Sequence, residues 1–375
     1  MEKPSTPFPT TGYFGGDYFC DREEEFETLA RNVRGGSSTT LVALRRMGKT
    51  ALIRHLQSKL EKDHTGVYVD ILPTESMADL LNSLATGMAR MVPERTSLGK
   101  QVWKFLKSLR PVVSYENLSG IPTLSLSQDP DQGKRSIEEI FGFLEQQPKP
   151  VILAIDEFQQ ILQYKEQQVD AWLRSRIQDL KNVRFVFAGS QQHLINELFA
   201  DPSRPFYRSS QFLKLGKIDR EIYHAFIAAK FNAHARQIDA ATIDAVLDWT
   251  MGYTYYVQLL CNRIFLSSQR KVRHNLWKEE ATRLLKEQDF VFYAYRDMLT
   301  ASQWKLLKAV ASDGVVRMPT SHDFLTRHGL GTSATVLQSL KTLQKKELVF
   351  RDMDAEGNPY YGVYDVLFSR WIGGS

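Results

Sequence analysis

The chain has 375 residues, 43% of them hydrophobic and 24% charged, an ordinary globular make-up whose length predicts two or three domains. Forty-eight Lys and Arg against 43 Asp and Glu leave a net charge of +5, a mild excess that is no argument for nucleic acid. Cys20 and Cys261 lie far apart without His/Cys clustering, which argues against a disulfide framework or zinc site and for a reduced, cytoplasmic chain. No apolar run approaches membrane-spanning length and no secretion signal is visible, so no membrane is expected.

Residues 1–18, rich in Pro, Thr and Gly, read as a flexible arm, and a helix over 23–33 follows. The apolar, β-prone run 39–44 then leads into Ala43-Leu44-Arg45-Arg46-Met47-Gly48-Lys49-Thr50. Leu52, Ile53 and Leu56 recur at helical spacing, so a helix opens at the Gly-Lys pair. This is the pattern of a phosphate-binding loop, a Walker A element. Backbone N–H groups from Ala43 to Ala51 and the helix N-terminus would cradle phosphates, Lys49 would neutralise them, and the hydroxyl of Thr50 would hold magnesium. Ala43 stands where the consensus has its first glycine.

A strand over 66–71 and a helix over 77–91 come next. Residues 93–132 are less regular, with a helix over 100–109 and an alternating stretch over 112–126 that reads as a hairpin with a Ser-Gly turn and an exposed contact element. Five apolar residues, Val151 to Ile155, then end in Asp156 and Glu157, as a central parallel strand delivers acids to its C-terminal edge. In this Walker B role Asp156 would bind magnesium opposite Thr50, and Glu157 would orient and deprotonate the attacking water. The strand 183–190 lies between acid strand and loop strand in such folds, and Ser190 at its tip is either a γ-phosphate sensor or the N-cap of the helix after it.

The last sheet strand is read over 211–215. Helical periodicity over 220–269 and 277–290 suggests a helical lid, in which Tyr253, Tyr255 and Tyr256 fit bundle core better than a base-stacking surface. Three helices over 303–311, 321–326 and 332–346, two strands over 348–351 and 360–364, and the turn Glu356-Gly357-Asn358-Pro359 give winged-helix order. The domains expected are therefore an arm over 1–18, an α/β phosphate-loop domain over 19–217 with an insert over 93–132, a lid over 218–300 and a winged helix over 301–375.

In this order the motifs resemble those of the archaeal-type ATPases, in the STAND branch of the AAA+ P-loop superfamily. The opening motif reads Phe19-Cys20-Asp21-Arg22-Glu23-Glu24, the loop Arg45 to Thr50, the acid strand Ile155 to Phe158, and Arg204-Pro205-Phe206-Tyr207-Arg208 stands where the family has an arginine before its last sheet strand. The resemblance implies a parallel P-loop sheet with lid and winged helix, ATP and Mg2+ as cofactors, and nucleotide contacts from Arg22 and Tyr253. It also implies that Arg208 reads the γ-phosphate of its own or a neighbouring subunit. Thr254 stands where the family often has a proline that contacts adenine, so Tyr253 or Tyr255 would pack on the base instead.

The reading that follows is an ATP-binding switch with slow hydrolysis. A DNA-binding regulator or loader tuned by ATP and a non-hydrolysing nucleotide scaffold stand as alternatives. A protein partner through the winged helix or the insert is favoured over DNA, because the first half of 332–346 carries no charge and the wing brings Asp352, Asp354 and Glu356 against Arg351. A homo-oligomer is admitted.

Overall fold

Apolar strands buried on both faces set the centre of the first half of the chain. The computed structural model describes residues 4–91, 95–109, 112–115, 122–125, 130–268, 270–354 and 356–374. Their contacts divide the chain into two compact units, one spanning Gly12–Gly216 and the other running from Lys217 onward together with the residues up to Thr11.

The first unit contains α1 (Glu23–Arg34), β1 (Thr39–Val42), α2 (Lys49–Lys59), β2 (Thr65–Asp70), α3 (Met77–Met91), α4 (Ser97–Ser108), β3 (Val112–Tyr115), β4 (Pro122–Ser125) and α5 (Pro130–Glu145). It continues with β5 (Val151–Asp156), α6 (Val169–Ile177), β6 (Val183–Gly189), α7 (Gln192–Ala200) and β7 (Gln211–Lys214). Five strands form one parallel sheet in the order β2-β5-β6-β1-β7. β1 and β5 are buried at every position, as the two-sided cover of a parallel sheet demands. Phe158, Phe185, Phe187, Phe199 and Phe206 pack together on one face, with Phe158 and Phe187 centroids 4.5 Å apart. β6 lies between the acid strand and the loop strand, so both motifs open on one edge. The expected hairpin is present as antiparallel β3 and β4, with Val112 opposite Ser125; its Ser119-Gly120 turn falls outside the described residues.

The second unit contains α8 (Arg220–Ala233), α9 (Ala240–Trp249), α10 (Thr254–Ser267), α11 (Leu276–Asp297), α12 (Ala301–Asp313), α13 (His322–Arg327), α14 (Ser333–Lys345), β8 (Val349–Met353), β9 (Pro359–Val363) and α15 (Val366–Gly373). The periodic run 220–269 is broken where Asp239 caps α9 and where Met251 and Gly252 take positive φ of 53° and 67°. α12 begins at Ala301, earlier than the apolar spacing suggests, because Thr300 and Gln303 form a capping box. The lid and the winged helix, expected as separate domains, share this unit: Phe292 of α11 packs on Phe368 and Trp371 of α15, and Arg370 donates to the Trp249 carbonyl.

The arm expected to be flexible is anchored instead over its described part. Phe8 is 1% exposed against Phe231 and Phe265, and the Asn262 amide donates to the Thr6 hydroxyl and the Phe8 carbonyl. Tyr13 meets His55 of α2 at 2.7 Å. Among the described residues no helix is long and apolar enough to cross a membrane.

Candidate functional site

The phosphate-loop sequence folds as a turn between β1 and α2, with Arg46 at φ 67° and Gly48 at φ 95° as the N-cap of the helix. Ala43 does not adopt positive φ and its N–H donates to the Gly189 carbonyl, so alanine is tolerated where the consensus has glycine. Among the described residues no side chain caps the α2 N-terminus, whose first N–H groups lack intrahelical partners.

Six of the expected residues converge at this turn. Thr50 Oγ1 donates to Asp156 Oδ2 at 2.9 Å. Lys49 Nζ stands 3.6 Å from Glu157 Oε1, with both side chains largely buried. The Ser190 hydroxyl donates to Glu157 Oε2 at 2.7 Å and its N–H to the same oxygen at 3.3 Å. Arg45 Nε reaches the Ser190 hydroxyl at 3.4 Å. Glu157 itself takes a left-handed conformation, φ 56°, and its N–H closes on Asp156 Oδ1 at 3.0 Å. Burial alone would raise the Glu157 carboxyl, but Lys49, Gln159, Ser190 and Arg45 outweigh it and hold the group below the usual range.

Two groups in this cluster escaped the sequence reading. Gln159 is 1% exposed and donates to Glu157 Oε2 at 2.6 Å. A Cβ on Gly189 would lie 2.4 Å from the Gln159 side-chain oxygen Oε1 and 2.5 Å from Ile195, so a larger residue there would have to displace this side chain. Tyr68 of β2 donates to Asp156 Oδ2 at 2.8 Å, and burial together with that carboxylate pushes its phenol far up. A signal for Gln159 existed, two residues beyond the acid pair; Tyr68 carries none without the sheet order.

Three further expected residues have other partners in the structure. Arg22 is 4% exposed and N-caps α1 at φ 76°, donating to Glu25 at 2.8 Å, to the Gly216 carbonyl at 2.7 Å and to the Met47 carbonyl at 3.5 Å. It thereby ties the start of α1 to the loop and to the chain after β7. Arg208 precedes β7, whose first residue Gln211 aligns with Thr39, the first of β1. It therefore sits at the sheet edge opposite the loop, about 13 Å away along four strand residues. There it lines a cavity of ≈ 270 Å³ with Gly36, Ser38, Arg174 and Phe206. A γ-phosphate contact within its own chain is excluded by that placement. Tyr253 belongs to the second unit, is 5% exposed, and lines a cavity of ≈ 250 Å³ with Lys217, Arg317, Asp354 and Tyr360. It packs as core, with the Lys217 ammonium 5.0 Å from its ring.

A phosphate-type loop between β1 and α2, an acid tip on β5 and the parallel order β2-β5-β6-β1-β7 define a P-loop nucleoside-triphosphatase fold. The family model described as an ATPase domain predominantly from Archaea matches residues 19–260, and the chain belongs to that family. A probable winged helix domain matches residues 290–374. Among solved structures, the Walker-type ATPase of Pyrococcus abyssi is similar at 16% identity and TM-score 0.67, over 98% of this chain and 99% of that one. The ORC2 protein of Aeropyrum pernix, solved as ADPNP and ADP complexes, is similar at 11% identity and TM-score 0.61, over 97% and 95%. The ORC1 protein of the same organism, solved in complex with DNA, gives 15% identity and TM-score 0.50 over 96% and 94%. No curated protein matches the chain.

Proposed function

We propose that this ATPase-family chain is a magnesium-dependent, ATP-binding molecular switch of the STAND type, with slow hydrolysis. The observation that carries the reading is the convergence of Lys49, Thr50, Asp156, Glu157 and Ser190 at one sheet edge. The donor set fits a metal-bound triphosphate: an uncapped helix N-terminus, a buried ammonium, and a hydroxyl and carboxylate 2.9 Å apart. Thr50 and Asp156 would hold the magnesium, which when bound would neutralise charge developing on the phosphates. Lys49 would do the same from the loop, and Arg45 and Ser190 would register the γ-phosphate.

Slow turnover is supported by how Glu157 rests. Its Oε2 accepts from Gln159 and Ser190 while Oε1 faces Lys49, and its proton affinity is held down. A carboxylate so satisfied is a weak base for water. Phosphates drawing Lys49 away would release one of those holds. Arg208, from the far sheet edge, would act only on a neighbouring copy of the chain, which makes a homo-oligomer part of the reading.

The winged helix reads as a protein-contact module. α14 exposes Leu337 with the uncharged Ser333, Ala334 and Gln338, while Arg317 of the same unit is already engaged by Asp354 at 3.3 Å. The cytoplasmic placement rests on two buried cysteines, Cys20 and Cys261, that form no disulfide.

The test is a thermal-shift titration with ATP and Mg2+. Wild type should be stabilised, and Lys49→Ala should lose that response because the triphosphate charge is left uncompensated. Equal stabilisation of the two proteins sinks the assignment.

A further inference from the structure

On the nucleotide reading of the site, we infer that Tyr68, outside both motifs, is a positioning residue that sets the Asp156 carboxylate for the metal. The inference starts from the alternation of β2. Val67 and Val69 point into the core at 0% and 2% exposure, so Gly66, Tyr68 and Asp70 face the opposite side of the sheet. α2 lies along that side. Its residues Thr50, Arg54 and Gln57, spaced by four and three, form one stripe of the helix.

Each member of the stripe meets a partner. Gln57 fills the space that a Gly66 side chain would take, with its Cγ 2.8 Å from the ideal Cβ, and donates to the Val67 carbonyl at 2.9 Å. One turn nearer the loop, the Arg54 guanidinium lies 4.1 Å from the centroid of the Tyr68 ring. One further turn along, Thr50 reaches Asp156. The Tyr68 hydroxyl arrives at the same oxygen, Oδ2, from the strand side, at 2.8 Å against 2.9 Å for Thr50.

Asp156, 4% exposed, is thus fixed at both oxygens: Oδ1 by the Glu157 N–H, Oδ2 by two hydroxyls. Of those hydroxyls only the one on Thr50 is also required to serve the metal. Tyr68 is bound to the sheet, registering with Ala154 two residues before the acid, so its hold does not depend on the loop. The arrangement orients one carboxylate edge before any ligand arrives, and Arg54 keeps the ring from turning.

Tyr68→Phe tests this, because it keeps the ring beneath Arg54 and deletes only the hydroxyl. Two titrations are compared with wild type: ATP with EDTA present, and Mg2+ into ATP-saturated protein, both followed by calorimetry. Loss of a residue that orients a metal-binding carboxylate typically weakens metal affinity by about 10–100-fold. The Mg2+ midpoint should therefore rise by at least about tenfold, with metal-free ATP affinity unchanged. An unchanged Mg2+ midpoint overturns the inference. So does an equal fall in metal-free and metal-dependent affinity, which would make the hydroxyl a general structural contact. If wild type binds ATP equally with and without Mg2+, the metal assignment of Thr50 and Asp156 fails first, and this inference with it.

Discussion

Glu157→Gln probes the resting site most directly, because it deletes a charge that is held from three directions. Lys49 stands 3.6 Å from one carboxylate oxygen, and Gln159 and Ser190 donate to the other at 2.6 and 2.7 Å. With the two charged side chains only 7% and 14% exposed, solvent screens the pair little. Removing one partner of a buried pair costs about 3–5 kcal/mol. Glutamine keeps an acceptor for Ser190 and Gln159, so about 1–3 kcal/mol is expected here. In a unit of this length each kcal/mol moves the melting temperature by about 2–4 °C, which lowers the nucleotide-free variant by about 2–12 °C. Bound ATP gives Lys49 new oxygen partners, so the ATP-induced rise should be larger in the variant than in wild type by the same amount. The pH dependence has a definite sign. A carboxyl held below its unfolded value contributes stability above that value and loses it as pH falls through the folded one, so the two melting curves should converge in acid, below the ordinary glutamate range. Single-turnover phosphate release should slow by at least about tenfold, since the amide accepts no proton. Identical melting temperatures with identical ATP shifts would refute the claim that Lys49 and Glu157 neutralise each other at rest.

Gly189→Ala should cost about 1–3 kcal/mol and slow turnover, because the new methyl displaces Gln159 and Ile195. Gly142→Ala in α5, where a Cβ meets nothing within 4 Å, should leave turnover intact and serves as its control. For the winged helix, binding to mixed-sequence duplex with ATP and Mg2+ should be weak and only shallowly salt-dependent, since residues 301–375 carry nine Lys and Arg against seven Asp and Glu. Tight binding with a steep salt slope would promote the DNA-regulator reading.

What could be read from the sequence is what one element carries by itself. β1 with its loop, the apolar β5 ending in two acids, and β6 with its polar tip are local patterns, and each folds where its pattern says. Composition misled at the N-terminus, where a Pro- and Thr-rich average concealed one aromatic anchor, Phe8, and the amide of a distant Asn262 that holds its backbone. Arg208 shows a different failure. Its place before the last strand was legible, yet in a parallel sheet the residues that precede a strand lie at the edge opposite the one that a phosphate loop opens on. Strand direction alone was enough to remove it from its own chain's nucleotide.

Tyr68 required the sheet order itself. β2 and β5 are separated by some eighty residues of chain yet pair residue for residue, Asp70 opposite Asp156, and only that pairing brings a phenol to the acid tip. The order of motifs invites a reading in which each residue waits for its own ligand: lysine for phosphate, hydroxyl for metal, glutamate for water. In the folded chain those residues first satisfy one another. Lys49 is the counter-ion of Glu157, Thr50 the donor to Asp156, and Ser190 the donor to Glu157. On the proposed function, a triphosphate therefore enters by replacing contacts rather than by filling a gap. The lysine that would bind it is the one that holds the base inactive, which ties occupancy of the site to the release of the group that would end it.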